Sequence, residues 1–300
     1  MPSSLEVILV PTFMIIVGLM LKRLSILESS DSKLLTKIVL NISLPALIFV
    51  NLSKADITGD MLILPVMGLL LSFMLLCTAY FYCRFRNYSK KTTWTIMIAS
   101  SMMNTGFIGF PVSLGVFGNA GFLHAIFYDL STTILFIVYG MILVKEFGGD
   151  RQDILRQSVK FVPLWAVVFA LIFNVFNIPI FDLAGSILDY FADSTIPLIM
   201  LSLGLTIDFN AIGRSIGDSL FVSFVKLVLS PCIIFVILSL LHIGGMTFNV
   251  AILEAGMSTA MNALVLAINY DLDVKLMSSL IFTNVILSLF TLTAIISFLL

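Results

Sequence analysis

The sequence predicts an all-α polytopic membrane protein: ten transmembrane helices in two inverted five-helix repeats, with the fourth and ninth helices broken. Three observations predict it. The 300 residues are 60% hydrophobic and only 11% charged, with a mean hydropathy of +1.13, whereas a soluble domain carries about a quarter charged residues. Apolar runs of about 20 residues, long enough to cross a hydrocarbon core of about 30 Å, recur along the whole chain. The two halves also share a faint internal symmetry, described below.

The runs place spans at 5–21, 33–52, 61–83, 93–117, 120–144, 158–177, 185–206, 213–241, 247–269 and 275–299. The first is a retained helix rather than a signal peptide. Its basic pair, Lys22 and Arg23, follows the apolar run and no small-residue cleavage site is apparent. Cys77, Cys83 and Cys232 have neither metal nor disulfide-framework spacing and read as packing residues.

Orientation follows from Lys and Arg. Fourteen of them flank one set of links, those after spans 1, 3, 5, 7 and 9, Arg214 and Lys275 among them, against Lys54 alone on the other side. Both termini are therefore expected outside, with the hydrophilic 148–157 linker inside, in a cytoplasmic (plasma) membrane.

Short matches recur at a slowly drifting offset. Val10-Pro11 in span 1 pairs with Val162-Pro163 in span 6, and Ser43-Leu44-Pro45 in span 2 with Thr195-Ile196-Pro197 in span 7. Met103-Asn104-Thr105-Gly106 in span 4 pairs with Met257-Ser258-Thr259-Ala260 in span 9, and Phe127-Tyr128-Asp129 in span 5 with Phe282-Thr283-Asn284 in span 10. Five spans per half make the second repeat (158–300) enter the membrane opposite to the first (1–147). Secondary transporters commonly have this plan, with substrate sites near the midplane where broken helices meet.

The stretch MMNTGFIGFP interrupts span 4 with Asn104, Thr105, Gly106, Gly109 and Pro111. Non-helical backbone survives in hydrocarbon only when buried in protein or lining a cavity. The freed backbone, the Asn104 amide and the Thr105 hydroxyl are expected to form a polar site, where half-helix N-termini suit a carboxylate. The partner stretch EAGMSTAMNA supplies Ser258, Thr259 and Asn262, and Ser43 of span 2 is counted with the substrate-binding set. The competing explanation is that small residues allow close helix packing and hydroxyls bond back to their own helix.

Charges inside spans are the second clue. Asp129 could bind a coupling cation or take up a proton, or be a structural, hydrogen-bonded acid; its counterpart Asn284 is neutral. Glu254 lies about a turn before the span 9 break and joins Asp129 and Asn284 as a candidate for ion coupling. Lys226 in span 8 either pairs with a carboxylate or snorkels to the surface. His124 and His242 fall near the outer surface without a convincing ligand partner.

With NISLPALIF in span 2, NTGFIGFP in span 4, FYDLS in span 5 and STIPLIMLSLGLTID in span 7, the chain resembles the auxin efflux carrier family over essentially its whole length. That family includes bacterial permeases for malonate and malate. The resemblance implies a fold shared with sodium/bile-acid symporters. In it spans 1, 2, 6 and 7 form a scaffold, often at a dimer interface. Spans 3–5 and 8–10 form a mobile transport domain in which broken spans 4 and 9 cross. It also implies carboxylate recognition near Asn104. Family members often carry proline where this chain has Ser258, so a less sharply broken span 9 is expected. The short central linker fits the microbial type rather than the auxin exporters.

The expected function is secondary transport of a small organic anion by alternating access, with proton or sodium coupling and no other cofactor, in a lipid bilayer and as a homodimer. A sodium-coupled symporter of a larger amphipathic anion, or a receptor or scaffold, are the alternatives. An intramembrane enzyme would need a zinc HExxH or a paired-Asp GxGD motif, and neither occurs; no nucleic-acid motif is present.

Overall fold

The computed structural model describes residues 4–148, 156, 159–206 and 215–300. Most of the central linker, and Arg214 with its neighbours, lie outside them. The described chain is helical, and its residues cluster into two compact units. The first unit spans Met1–Ile57 and Leu155–Ile207; the second spans Thr58–Ile154 and Asp208–Leu300.

The first unit contains α1 (Ser4–Arg23), α2 (Asp31–Ile38), α3 (Leu44–Ser53), α7 (Val162–Val175) and α8 (Asp182–Thr206). Here α1 packs against α8 so closely that backbone meets backbone. A Cβ placed on Gly18 would stand 3.1 Å from the Gly204 Cα, the close approach that small residues allow between membrane helices. Asn174 on α7 donates its side-chain amide to the Leu52, Ser53 and Ala55 carbonyls at 3.2, 3.3 and 2.7 Å. It thereby satisfies the open C-terminal end of α3.

The second unit contains α4 (Ile63–Phe85), α5 (Lys90–Ser101), α6 (Phe110–Phe147), α9 (Ile216–Phe224), α10 (Ser230–Leu240), α11 (Gly245–Ala255), α12 (Asn262–Asn269) and α13 (Val274–Leu299). Spans 4 and 5 had been expected as separate helices. They meet within α6 at Gly118, in the expected link, where the non-helical φ 66° and ψ −160° require a residue without Cβ. Exposed acid–base pairs, Lys90–Glu146 at 2.7 Å and Lys91 with Asp271, tie the loops at one end. The Lys91 ammonium holds the Asp271 carboxyl below its ordinary range.

Three π-helical turns among the described residues, Val39–Ser43, Thr105–Gly109 and Val225–Leu229, each end two residues before a proline, respectively Pro45, Pro111 and Pro231. The cause is local. A proline lacks an N–H and its ring crowds the carbonyl four residues earlier. In each case that carbonyl, of Asn41, Phe107 or Leu227, is the middle one of the turn, and widening the helix there relieves the crowding. Prolines alone do not compel this, since α8 runs through Pro197 without widening.

Among the described residues six helical runs, 31–53, 59–85, 105–147, 182–206, 216–240 and 274–299, are long and apolar enough to cross a bilayer. Large apolar side chains such as Phe13, Phe73, Phe81, Phe169 and Phe290 are exposed on them and on α1 and α7, as lipid contact requires. The protein is an all-α, multi-pass membrane protein.

Candidate functional site

The site lies in the second unit, where two helices stop inside apolar surroundings. The helix α5 ends at Ser101, and Met102 is already extended, with φ −92° and ψ 123°. The helix α11 ends at Ala255 and the chain stays unwound until α12 begins at Asn262. The two unwound segments run antiparallel, with Met103 opposite Thr259. Asn104 N donates to Ser258 O at 2.9 Å and Ala260 N to Met102 O at 3.0 Å, the two bonds that flank a non-hydrogen-bonded antiparallel pair. Each break thus supplies partners for backbone groups that the other would leave bare in a buried place.

Two expectations change here. Span 4 breaks at Met102–Asn104, before the glycines. Gly106 and Gly109 fall in the following π turn, and Pro111 sits at the start of α6, directly after it. Span 9 is not the milder break: without any proline it is unwound from Gly256 to Met261. The pairing with span 4 sustains it.

Hydroxyls, one from the unwound segment and one from α10, meet the carbonyls near the ends of the stopped helices. Thr259 Oγ1 donates to Ala99 O at 2.8 Å, and Ser230 Oγ to Ala255 O at 2.6 Å. Asn284 Nδ2 donates to Thr259 Oγ1 at 3.0 Å, so both sides of that hydroxyl are engaged. Tyr139 and Ser101 share a bond at 2.6 Å, and the Tyr128 hydroxyl meets the Met103 sulfur at 3.5 Å.

Other groups remain uncommitted. Asn104 Nδ2 and Ser258 Oγ are buried without hydrogen-bond partners among the described residues, as are the acceptors Glu254 Oε2 and Asn284 Oδ1. Each such group costs about 1–3 kcal/mol if nothing meets it. The amides that open the π turn have no carbonyl one turn back, whereas at the start of α12 Ala263 N and Leu264 N donate to Ala260 O and Met261 O, both at 3.1 Å.

The carboxylates sit beside these donors. Thr105 donates its hydroxyl to Asp129, and the Thr132 hydroxyl lies 3.3 Å from that of Thr105. Asp129 is half-buried. Glu254 is wholly buried and accepts from Ser113 Oγ at 2.7 Å. Its carboxylate lies where a Cβ on Gly109 would be, so any side chain at that turn would displace it. No ion pair involves either acid among the described residues, nor do three potential metal ligands gather anywhere among them.

The structure thus brings Asn104, Thr105, Gly106, Ser258, Thr259, Asp129, Glu254 and Asn284 to one crossing. Asn262 is half-buried at the start of α12, and Ser43 belongs to the first unit, buried and without a bond to its hydroxyl. Lys226 neither pairs nor snorkels: it is fully buried and its Nζ has no partner. His124 is not isolated, since its Nε2 lies 3.8 Å from the Asp60 carboxylate. Thr132 was legible as a neighbour of Asp129, three residues on along one helix face. Ser113 was not, because its partner is 141 residues away.

Comparison with known proteins agrees with this architecture. A family model described as "Membrane transport protein" matches residues 4–157 and 152–296. An uncharacterized transporter of Methanothermobacter thermautotrophicus is 40% identical over 292 residues, 97% of this chain and 96% of the relative. One of Methanocaldococcus jannaschii is 33% identical over 296 residues, 95% of each chain. The uncharacterized transporter YfdV of Escherichia coli (strain K12) is 21% identical over 257 residues, 81% of each. The chain therefore belongs to the membrane transport protein family, that of the auxin efflux carriers, and is a membrane transporter, not an enzyme.

Proposed function

We propose that the protein is a secondary transporter that moves a small organic carboxylate by alternating access, coupled to a proton or sodium ion. The observation that carries this reading is the coexistence at one buried crossing of spare donors and spare acceptors. Asn104 Nδ2 and Ser258 Oγ, with the amides that open the π turn, suit a carboxylate. Asp129 and the free Glu254 oxygen suit a cation or proton. An anion bound beside two carboxylates is repelled unless one of them is neutralised. That repulsion links anion binding to cation or proton binding and makes cotransport the natural outcome.

In this reading ten spans form two inverted five-helix repeats, with both termini outside. The second unit carries the site and moves as a body in an elevator-like cycle. The first unit is the scaffold and the dimer interface, and Asn262 of the second unit completes the substrate contacts. The grouping of α4–α6 with α9–α13 and of α1–α3 with α7 and α8 supports this division. The test is uptake of labelled malate and malonate into proteoliposomes, with pH and sodium gradients imposed separately. Saturable flux driven by one gradient is expected and names the coupling ion. Absence of flux under every gradient, from folded protein, refutes the reading for these acids, and binding without flux points to a receptor.

A further inference from the structure

The chain enters the second unit twice, at Thr58 and after residue 207, and soon after each entry an aspartate is gripped by distant side chains. Asp218, in the first turn of α9 and 8% exposed, accepts on one carboxylate oxygen from both Tyr82 and Tyr88, at 2.8 and 2.7 Å. Tyr82 also stacks on Phe221, ring centroids 3.7 Å apart, and Arg86 Nε donates to the Tyr88 hydroxyl at 3.2 Å. Asp60, in the 3₁₀ turn Gly59–Leu62, accepts from the buried Thr247 hydroxyl at the start of α11, with His124 of α6 nearby.

Neither entry helix has a side-chain cap of its own at Ser215 or Thr58. Uncapped first turns leave amides unpaired and fray first. The two grips hold these turns in place of a cap, and Asp218 also sits where a helix start favours negative charge. Asp60 joins the starts of α4 and α11 to the part of α6 beyond its kink. Asp218 joins the start of α9 to the end of α4 and to the link before α5.

We propose that Asp60 and Asp218 are positioning residues for transport, anchoring the points where the connecting chain meets the second unit so that this unit moves without its ends unravelling. The inference rests on the reading that the second unit moves as a body. Neither aspartate belongs to the crossing, so losing one slows the conformational step and leaves substrate affinity alone.

The variants are Asp218→Ala, Asp60→Ala, the milder Asp218→Asn, which keeps an acceptor for the tyrosines, and Lys91→Ala as an exposed-pair control. With labelled malate in proteoliposomes, the alanine variants should lose roughly fivefold or more in maximal rate with KM within about twofold. Asp218→Asn should recover most of the rate, and Lys91→Ala should match the parent. Hydrogen exchange on the full chain should rise at 59–66 in Asp60→Ala and at 216–224 in Asp218→Ala, with 102–105 and 257–261 unchanged. This second readout needs no substrate, so if the parent protein carries no malate the transport reading fails while exchange still decides the anchors. Unchanged maximal rates, a KM that rises as the rate falls, or exchange that spreads across the unit would overturn the proposal.

Discussion

Thr105 and Thr259, one hydroxyl from each broken segment, are both tied to a residue on the long helix that follows, 24 and 25 positions on. On one side the tie ends in Asp129; on the other it ends in Asn284. The second tie is closed, because Thr259 accepts from Asn284 and donates to the Ala99 carbonyl. The first ends on a half-buried carboxylate that no cation meets among the described residues. In the proposed reading the two ties divide the labour: the Thr259 side holds the crossing together, and the Thr105 side keeps a charge available.

Making the two ties alike should break that division most severely. In Asp129→Asn, gradient-driven accumulation of substrate is expected to fall at least about tenfold, because the coupling charge is lost. Exchange of substrate across the membrane without a gradient should persist. Accumulation at the parent level would show that Asp129 is structural.

A smaller effect is expected where Glu254 meets the π turn. Gly109→Ala forces a methyl onto the Glu254 carboxylate and should cost about 1–3 kcal/mol of stability. In Gly106→Ala the added carbon lies at ordinary contact, 3.8 Å from Asp129 Oδ1, and should cost no more than the backbone change. Thermal unfolding in detergent compares the two, and equal losses would show that the Gly109 notch has no special role.

The smallest effects separate Ser258 from Thr259. Thr259→Ala breaks two bonds of the crossing and should lower stability by about 1–2 kcal/mol. Ser258→Ala removes a hydroxyl with no partner, so stability should hold or rise while KM increases about threefold. The reverse pattern, measured by melting and uptake kinetics, would exchange their roles.

The parts legible in the sequence were those written in local composition. Hydropathy located the helical runs, and Asn104 with two glycines and a proline marked a break because each disfavours a buried helix. The exact break point was not legible. Gly106, Gly109 and Pro111 follow the unwound residues, whose conformation depends on backbone bonds to a segment more than 150 positions away. The depth of the span 9 break escaped notice for the same reason, since Gly256 to Met261 contains no proline and is held open by its partner. The Asp218 grip was invisible because Tyr82 and Tyr88 are 136 and 130 residues distant. Lys226 shows the opposite limit: a basic residue in an apolar run suggests a partner or a path to water, and packing provides neither.

The central claim is that the buried crossing binds the substrate carboxylate, and Asn104 carries the most exposed part of that claim. The direct measurement is equilibrium binding of labelled malate to the purified parent protein and to Asn104→Ala, both shown to be folded by their melting transitions. The account predicts unchanged melting and affinity weaker by about tenfold, or about 1.4 kcal/mol. Equal affinity in the two proteins would contradict it and remove Asn104 from the site.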